Sequence, residues 1–538
     1  MYTNRRLRVI ILTLIIVITA GCTCKIKITY TPSDGQTITS GGNIEAGIVY
    51  NGSCRDCEIT TFQAYLDGQD VTNLFTCSFD KCTASSSSFP SGDHLLSVDT
   101  NLDTETYMCR VAGETDSRQL HICSYNQWAN TYDSVYSDIN SVQQTSDGGY
   151  IATAIKQSGS STHDVDIYVL KLASTGNVQW QKSYEGSWDS GEAGDFVTSI
   201  KQTADSGYIM VGWSGPNPMH YPNYYAWMIK LASDGSIQWL KSFTRSYHQF
   251  ANDVEQTDDD GDGQKDDGYV VAGETAVPVV PTAADAFVLK LDSNGNTQWL
   301  RSYDSGPAIP QVKDIKQTSD RGYIFAANVG TDGWIVKLDV NGNQQWQKLY
   351  IGGHFNAIEQ TGNNGYIVVG YTGTHPVIDG LILELDSNGL IQWQKKFGGA
   401  ERDEFWSVRQ EAGNSYVISG ITKPSGTANR SAWMLKLDAS RNIQWQRIYK
   451  SSRTYPGLFD ETSDGGYIMP IGDSIFKLDA NGAIQGCNLI DQSNAQASDI
   501  TMTVQDLTSP TRDPGLVSES RTFNVKDSVS TVETICCY

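Results

Sequence analysis

Short runs of alternating apolar and polar residues, separated by turns rich in Gly, Asn and Asp, fill the middle of the chain. Runs such as 312–318 and 323–327 have the length and the aromatic and β-branched content of strands. The turns at 319–322 and 340–343 supply the Gly and Asn residues that accept a positive φ in tight hairpins. The pattern therefore predicts consecutive antiparallel strands and an all-β fold.

A block of four such runs recurs seven times between about residue 137 and residue 487. Successive blocks place a Tyr at the start of their second run, at steps of 58, 61, 54, 43, 50 and 51 residues. Six blocks continue with Lys-Leu, where the fifth has Glu384-Leu385, and six then carry Gln-Trp. Four antiparallel strands with a period near fifty residues are typical of one propeller blade, with the Trp packed between blades.

The two ends of the repeat region predict how the ring closes. A Gln-Trp run without its own Tyr precedes the first block at 126–132, and the last block ends in a degraded version at 484–487. Because a single blade leaves sheet faces and edges uncovered, we expect the early run to complete the last blade. The predicted fold is a seven-bladed β-propeller over residues 124–487.

The consensus QT-x-DGGYI…KLD-x-NG-x-x-QW resembles the repeat of secreted and surface-anchored bacterial and archaeal β-propeller proteins, often grouped with quinoprotein-like propellers. The resemblance covers about 360 of the 538 residues and implies the fold. Quinoprotein blades carry a Thr that is missing from 291–295, before Trp299. Their vicinal Cys pair lies inside the propeller, whereas Cys536-Cys537 lies at the C-terminus. We therefore expect no quinone cofactor.

Residues 1–21 resemble a bacterial lipoprotein signal peptide. Three Arg residues precede an apolar run at 9–19, which is too short to span about 30 Å of hydrocarbon, and small residues precede Cys22. The resemblance implies that Cys22 is lipidated and that the protein is exported and anchored to the outer membrane or cell surface. Thr19 stands where the family usually has Leu, and an ordinary secretory signal cleaved near Ala20 is the alternative.

Residues 22–123 resemble a small bacterial immunoglobulin-like (Ig-like) β-sandwich, which we expect to act as a stalk. Seven of the ten remaining Cys residues lie before residue 124 and three lie after residue 486. This clustering favours disulfides in an oxidising compartment, with a four-thiolate zinc site as the alternative for the early group. Residues 488–538 are predicted as a C-terminal β tail, which a disulfide from Cys487 could pin to the propeller.

The charge balance excludes one class of partner. Lys and Arg number 39 and Asp and Glu number 61, which gives a net charge of −22. So acidic a surface repels phosphate backbones, and we expect no nucleic-acid partner.

An acidic insertion replaces the ordinary hairpin turn of the third block. Its spacing, Asp-x-Asp-x-Asp-Gly-x-x-Asp, is that of a calcium loop in which alternating carboxylates converge on one cation. We expect a structural calcium ion here, although Tyr269 stands at the twelfth position, where an EF-hand has Glu. A solvated acidic insertion is the alternative. The predicted ligands are Asp258, Asp260, Asp262, Gln264, Asp266 and Asp267.

Aromatic and Pro-rich insertions fall on the propeller face opposite the acidic insertion. We expect this face to bind a protein or a glycan, because aromatic side chains give contact area at low entropic cost; simple loop variation is the alternative. The predicted contact residues are Trp188, Trp213, His220, Tyr221, Tyr247 and His248.

No arrangement typical of a catalytic site occurs in the sequence, including HExxH and Gly-x-Ser-x-Gly. The acidic run at 401–404 is expected to be a solvated face. The leading hypothesis is a lipid-anchored, non-enzymatic recognition or scaffold protein of the cell envelope. The alternatives are a quinoprotein-like oxidoreductase, a polysaccharide-active enzyme with opposed carboxylates near the propeller axis, and an outer-membrane assembly lipoprotein.

Overall fold

A computed structural model of the chain divides into two units, Met1–Trp128 and Ala129–Cys536, each of which is described by itself. Among the described residues, no helix combines the length and the apolar character needed to cross a membrane. Before residue 127 the structure describes the strands alone. From there it describes 127–132, 139–157, 165–186, 193–216, 224–244, 248–276, 284–306, 308–374, 377–399, 401–423, 430–450, 457–484, 490–493, 496–506, 511–512, 517–519, 523–527 and 532–534.

The first unit holds two antiparallel sheets. Its strands are β1 (Thr13–Val17), β2 (Thr23–Thr31), β3 (Asn43–Asn51), β4 (Glu58–Leu66), β5 (Gln69–Asp70), β6 (Thr76–Cys77), β7 (Lys81–Ser85), β8 (Gly92–Asp103) and β9 (Glu114–Ile122). One sheet has the order β1-β2-β3-β7-β6 and the other β5-β4-β8-β9. β1 lies in the predicted signal peptide, and Cys22 lies outside the described residues. The signal peptide and the Ig-like module stay predictions.

The second unit is an all-β propeller built from four-stranded antiparallel repeats, as the sequence predicts. Its strands are β10 (Trp128–Tyr132), β11 (Ile139–Gln144), β12 (Tyr150–Gln157), β13 (Val165–Leu172), β14 (Val178–Gly186), β15 (Ala193–Gln202), β16 (Tyr208–Pro216), β17 (Tyr225–Leu231), β18 (Ile237–Thr244), β19 (His248–Thr257), β20 (Gly268–Ala276), β21 (Ala286–Asp292), β22 (Thr297–Tyr303), β23 (Pro310–Gln317), β24 (Tyr323–Val329), β25 (Asp332–Leu338), β26 (Gln344–Tyr350), β27 (Gly353–Gln360), β28 (Tyr366–Thr374), β29 (Val377–Leu385), β30 (Ile391–Gly398), β31 (Asp403–Gln410), β32 (Tyr416–Thr422), β33 (Ser431–Leu437), β34 (Ile443–Tyr449), β35 (Asp460–Glu461), β36 (Tyr467–Ile471) and β37 (Ser474–Leu478). A 3-10 turn at Ala412–Asn414 precedes β32.

The number of separate blades differs from the prediction. Five repeats form five separate five-stranded sheets, whereas the other two, β11–β14 and β15–β18, belong to one ten-stranded sheet. A single parallel bridge between Val165 and Gly194 joins β13 to β15 and so fuses these two repeats. Counted by hydrogen-bonded sheets among the described strands, the prediction of seven blades is therefore corrected to five blades and one double sheet.

The first and last repeats are joined directly. β10, the early Gln-Trp strand, lies beside β37 in the last sheet, which confirms its predicted place. Thr131 and Ser474 share a hydroxyl hydrogen bond of 2.9 Å across this junction. The backbone N–H of Ser463 donates to the side-chain oxygen of Gln144 at 2.6 Å. Other repeats use a Gln in the same position to reach the preceding repeat: Gln202, Gln256, Gln317, Gln360 and Gln410.

The C-terminal tail adds a fifth strand to each repeat, an arrangement that the sequence pattern does not predict. The tail strands are β38 (Ile490–Gln492), β39 (Gln496–Ser498), β40 (Val504–Asp506), β41 (Thr511–Arg512), β42 (Val517–Glu519), β43 (Phe523–Asp527) and β44 (Val532–Thr534). They pair antiparallel, in this order, with β34, β30, β26, β22, β18, β14 and β10. The tail thus passes the repeats in reverse chain order, and we call β38–β44 the belt.

The belt follows a seven-residue period. In each strand one residue lies opposite the aromatic residue that ends the repeat, and consecutive residues of this kind are seven positions apart. Because the belt covers the outer strand of every repeat, it removes edges on which other chains could pair. The belt residues are Ile490, Ala497, Val504, Thr511, Ser518, Val525 and Val532, opposite Tyr449, Phe397, Tyr350, Tyr303, Phe243, Tyr184 and Tyr132.

Aromatic contacts hold neighbouring repeats together, as predicted for the recurrent Trp. The ring of Trp299 lies edge-on to Tyr323 of the next repeat, with 5.7 Å between centroids. Tyr303 is fully buried and donates its hydroxyl to the Gly342 carbonyl of the next repeat at 2.7 Å. Gly342 has a φ of 76°, and a Cβ there would come within 2.7 Å of Trp299, so the turn requires Gly.

A buried Lys braces the hairpin of most repeats. Lys337 donates to both carboxylate oxygens of Asp320, at 3.1 and 2.9 Å, and to the Leu338 carbonyl at 2.9 Å. The fifth repeat, with Glu384 in place of Lys, reverses the charges: Arg441 of the sixth repeat donates to Glu384 at 2.6 and 2.7 Å. The unusual Glu384-Leu385 pair thus has a structural explanation.

Candidate functional site

The loops of the propeller lie at two ends of the repeats. Hairpins from the first to the second strand, and from the third to the fourth, share one end, which we call the hairpin end. Connections from the second to the third strand, and from one repeat to the next, share the opposite end, which we call the loop end. The acidic insertion is at the hairpin end, and the predicted partner loops are at the loop end.

Four aromatic residues and one His form a half-buried group at the loop end of the second and third repeats. Trp213 stacks on Phe196 with 4.1 Å between ring centroids, and meets Tyr224 and Phe250 edge-on at 5.2 and 5.3 Å. His248 lies 4.6 Å from Tyr224, centroid to centroid, and its Nδ1 accepts the Tyr224 backbone N–H at 3.1 Å. Burial lowers the pKa of His248, which favours this neutral acceptor form. We call these five residues the aromatic cluster.

The aromatic cluster brings together two of the six predicted contact residues, Trp213 and His248. Phe196 and Phe250 were missed because, in the sequence, they read as ordinary strand residues, and Tyr224 was missed because it stands at the end of the insertion at 214–224, directly before β17. The other four predicted residues lie outside the described part of the chain: Trp188, His220, Tyr221 and Tyr247.

A cavity of about 350 Å³ lies where the first strands of the repeats meet, and we call it the axial cavity. In six repeats a β-bulge interrupts the pairing of the first strand with the second. A bulge leaves one residue unpaired and re-aims its side chain, and each of these residues lines the axial cavity. The bulge residues are Asn140, Thr198, Asn252, Lys313, Asn356 and Trp406.

Charged groups line the wall of the axial cavity beside the bulges. Lys316 forms ion pairs with Asp314 and, at 3.4 Å, with Asp253. Burial and the nearby charge of Asp253 raise the pKa of Asp314, whereas burial lowers the pKa of Lys201. Within the described residues, the ammonium groups of Lys201 and Lys313 form no hydrogen bond and no ion pair within 4 Å, but Asp253 and Asp460 interact electrostatically with Lys201, and Glu274 with Lys313.

The carboxylates near the axis bear on the polysaccharide-active alternative, which predicts opposed acidic groups there. Asp253 accepts hydrogen bonds from the Ser199 hydroxyl at 2.8 Å and the Ile315 backbone at 3.3 Å. Asp314 accepts from the Ile358 backbone N–H at 2.9 Å. Both carboxylates are thus engaged in joining neighbouring repeats, whereas a glycosidase acid and base must be free to face the substrate.

The acidic run at 401–404 differs from the expectation of a solvated face. Asp403 and Glu404 are buried, at 2% and 4% exposure. Burial raises the pKa of Asp403 to about 6, against hydrogen bonds from Thr422 and the Gly399 backbone. Asp403 stands at the start of β31, where packing against neighbouring strands covers it.

The acidic insertion gathers some of its predicted ligands. Oxygen atoms of Asp258, Asp260 and Asp267 lie within 4.8 Å of one another, whereas the carboxylates of Asp262 and Asp266 are not part of this group. The backbone N–H of Gln264 donates to the Asp262 carboxylate at 2.7 Å. Calcium–oxygen distances are about 2.3–2.6 Å, so oxygens this close can share one ion. Desolvation and, after it, the charges of nearby carboxylates raise the pKa of Asp266. The three-carboxylate group fits a hard cation.

No protein-family model and no curated protein matches the chain. Among solved structures, the exotype rhamnogalacturonan lyase YesX is 10% identical, with 82% of this chain and 88% of that chain covered, at a TM-score of 0.33. The rhamnogalacturonan lyase PL11 of Bacillus licheniformis is 10% identical, with coverages of 83% and 89% and a TM-score of 0.33. Sqt1 from Chaetomium thermophilum is 10% identical, with coverages of 64% and 84% and a TM-score of 0.36. These likenesses are too distant to indicate an activity, and the propeller assignment rests on the strand topology.

Proposed function

We propose that this protein is a non-enzymatic recognition propeller whose loop end binds a glycan. The observation that carries the proposal is the aromatic cluster, which places several half-buried rings at one end of two adjacent repeats. Flat aromatic faces suit the apolar faces of sugar rings and lose little entropy on binding. The bulge residues Thr198 and Asn252 lie two positions along the chain from Phe196 and Phe250, so polar groups for sugar hydroxyls are close by.

Binding accounts for the charged groups near the axis better than catalysis does. Asp253 and Asp314 already hold backbone groups of adjacent repeats and share Lys316. Releasing either carboxylate for proton transfer would leave Lys316 without part of its compensation and would cost about 3–5 kcal/mol. A recognition role requires no such release.

The remaining parts of the proposal concern location and architecture. We propose that the chain is exported, lipidated at Cys22 and held at the cell envelope, with residues 22–123 as an Ig-like stalk. A structural calcium ion would bind at the acidic insertion.

The proposed glycan binding is tested by screening the full chain against an array of bacterial and plant glycans, beside Trp213→Leu. We expect Trp213→Leu to weaken a detected glycan about tenfold or more, because one well-packed aromatic contributes a large part of the binding energy at such a site. Val377→Ala is the matched control, since Val377 is 48% exposed at the start of β29 and lies at the same end of the propeller.

Thermal unfolding of both variants separates lost binding from lost folding. Equal glycan affinity in the wild type and a folded Trp213→Leu variant would contradict the proposal, as would an array without any saturable signal.

A further inference from the structure

We propose that the axial cavity binds one carboxylate-bearing monosaccharide, a uronic acid or a close analogue. The inference deepens the proposed function, because the axial cavity lies beside the aromatic cluster along the same first strands. It rests on three features of the cavity wall: an excess of cations over carboxylates, oriented amide oxygens and an aromatic ring.

Lys201 and Lys313 supply the charge. Among the described residues, neither ammonium group donates a hydrogen bond or forms an ion pair within 4 Å, although Asp253 and Asp460 interact electrostatically with Lys201, and Glu274 with Lys313. The lining of the cavity holds four cationic side chains and two carboxylates, so it is positive in a chain whose net charge is −22; the cations are Lys201, Lys313, Lys316 and Arg409, and the carboxylates are Asp253 and Asp314. One carboxylate on a ligand would offset part of this excess, because an ionised acceptor forms strong hydrogen bonds with ammonium groups.

Three bulge residues supply acceptors for hydroxyl groups. Asn140, Asn252 and Asn356 each donate their amide nitrogen to a backbone carbonyl of the next repeat, at 3.2, 2.9 and 2.8 Å. These bonds fix the amides, and the Oδ1 atoms accept no hydrogen bond from other described residues. Fixed acceptors around a cavity suit a ligand with several hydroxyl donors.

Trp406 and the volume set the size of the ligand. Trp406 is the aromatic bulge residue of the sixth repeat and offers a half-buried indole to the cavity. A volume of about 350 Å³ is at the small end of the range, about 300–1,000 Å³, in which proteins bind small molecules. One sugar ring fits this volume better than an oligosaccharide.

Isothermal titration of the full chain provides the test, with D-glucuronate, D-galacturonate and D-mannuronate against D-glucose, D-galactose, D-mannose and acetate. We expect saturable binding of at least one uronate, with its parent sugar and acetate each weaker by about tenfold or more. Lys201→Met and Lys313→Met should each weaken that uronate by about tenfold, while Lys313→Arg should retain binding. Lys241→Met, on the outer strand β18, is the matched control.

Three results would overturn the inference: no uronate binds, acetate binds as tightly as the uronates, or folded Lys201→Met and Lys313→Met variants keep full uronate affinity. The Trp213→Leu variant distinguishes this failure from failure of the proposed function. If the lysine variants lose uronate while Trp213→Leu keeps every glycan, the axial site stands and the loop-end proposal falls. If Trp213→Leu loses glycan binding while the lysine variants keep uronate affinity, the loop-end proposal stands and the axial inference falls.

Discussion

Replacing Met502 by Ala tests whether the belt is held to the propeller by local packing. Met502 lies between β39 and β40 and is 8% exposed. It packs into the apolar cluster of the fourth and fifth repeats that contains Ile324 and Leu381. A Cβ on Gly353 would come within 2.4 Å of its terminal methyl, so the glycine leaves the space that Met502 fills.

The expected loss follows from this burial. Truncating a buried Met to Ala removes three heavy atoms from a packed site and costs about 2–5 kcal/mol, and we take about 2–3 kcal/mol because Met502 lies near the rim. Since the belt can open without unfolding the propeller, the loss acts on local opening and raises the opening constant about 30- to 150-fold. Global stability changes less.

Hydrogen exchange measured by mass spectrometry provides the assay. Peptides covering 496–506 should exchange about 30- to 150-fold faster in Met502→Ala, while those covering 523–527, three repeats away, should change little. Thr501→Ala is the control, because Thr501 is an exposed neighbour and such surface changes stay within about 0.5 kcal/mol. Equal exchange rates in Met502→Ala and Thr501→Ala would refute the packing argument. Equally faster exchange in every belt strand would refute the expectation that each part of the belt opens independently.

Three further outcomes test other parts of the structure. In a urea-denaturation double-mutant cycle, Asp320→Asn should lower the free energy of unfolding by about 1–2 kcal/mol, because it leaves the buried Lys337 poorly compensated although Asp320 itself is half exposed. Adding Lys337→Met should recover part of this loss. Additive effects of the two substitutions would contradict the pairing. Burial alone would raise the pKa of Asp147, but hydrogen bonds from its hairpin lower it to about 2. The ionised Asp147 therefore stabilises the fold fully above about pH 4, and this contribution is lost as the pH falls towards 2. The unfolding temperatures of wild type and Asp147→Asn should converge in acid, and a difference that stays constant with pH would contradict this. Calcium should raise the unfolding temperature of the wild type and leave Asp258→Asn/Asp260→Asn unchanged, whereas an equal rise in both would reject the calcium site.

Much of the fold could be predicted because it is encoded locally. Each hairpin turn specifies its own geometry through Gly, Asn and Asp, and each strand carries the apolar alternation that buries it. The joining of β10 to the last repeat could also be predicted, because a lone Gln-Trp strand at one end matches a degraded one at the other. The fusion at Val165 and Gly194 could not, since one backbone bridge leaves no pattern in the sequence.

The candidate site was predictable only in part. Trp213 and His248 were identifiable because they border long aromatic insertions in the sequence. The axial cavity was not, because the bulge residues that line it come from one position in each of six repeats, about fifty residues apart, and those positions hold Asn, Thr, Lys and Trp without a shared chemistry. The charge partners of Lys316 likewise come from different repeats.

The sequence by itself determined the four-stranded unit, its repetition and the turns that connect its strands, since these depend on residues near one another in the chain. Tertiary structure alone decided the course of the tail and the lining of the axial cavity. The belt strands are two to five residues long and too short to specify a partner. Their seven-residue spacing matches the distance between the outer strands of neighbouring repeats, and that distance is set only when the repeats pack together.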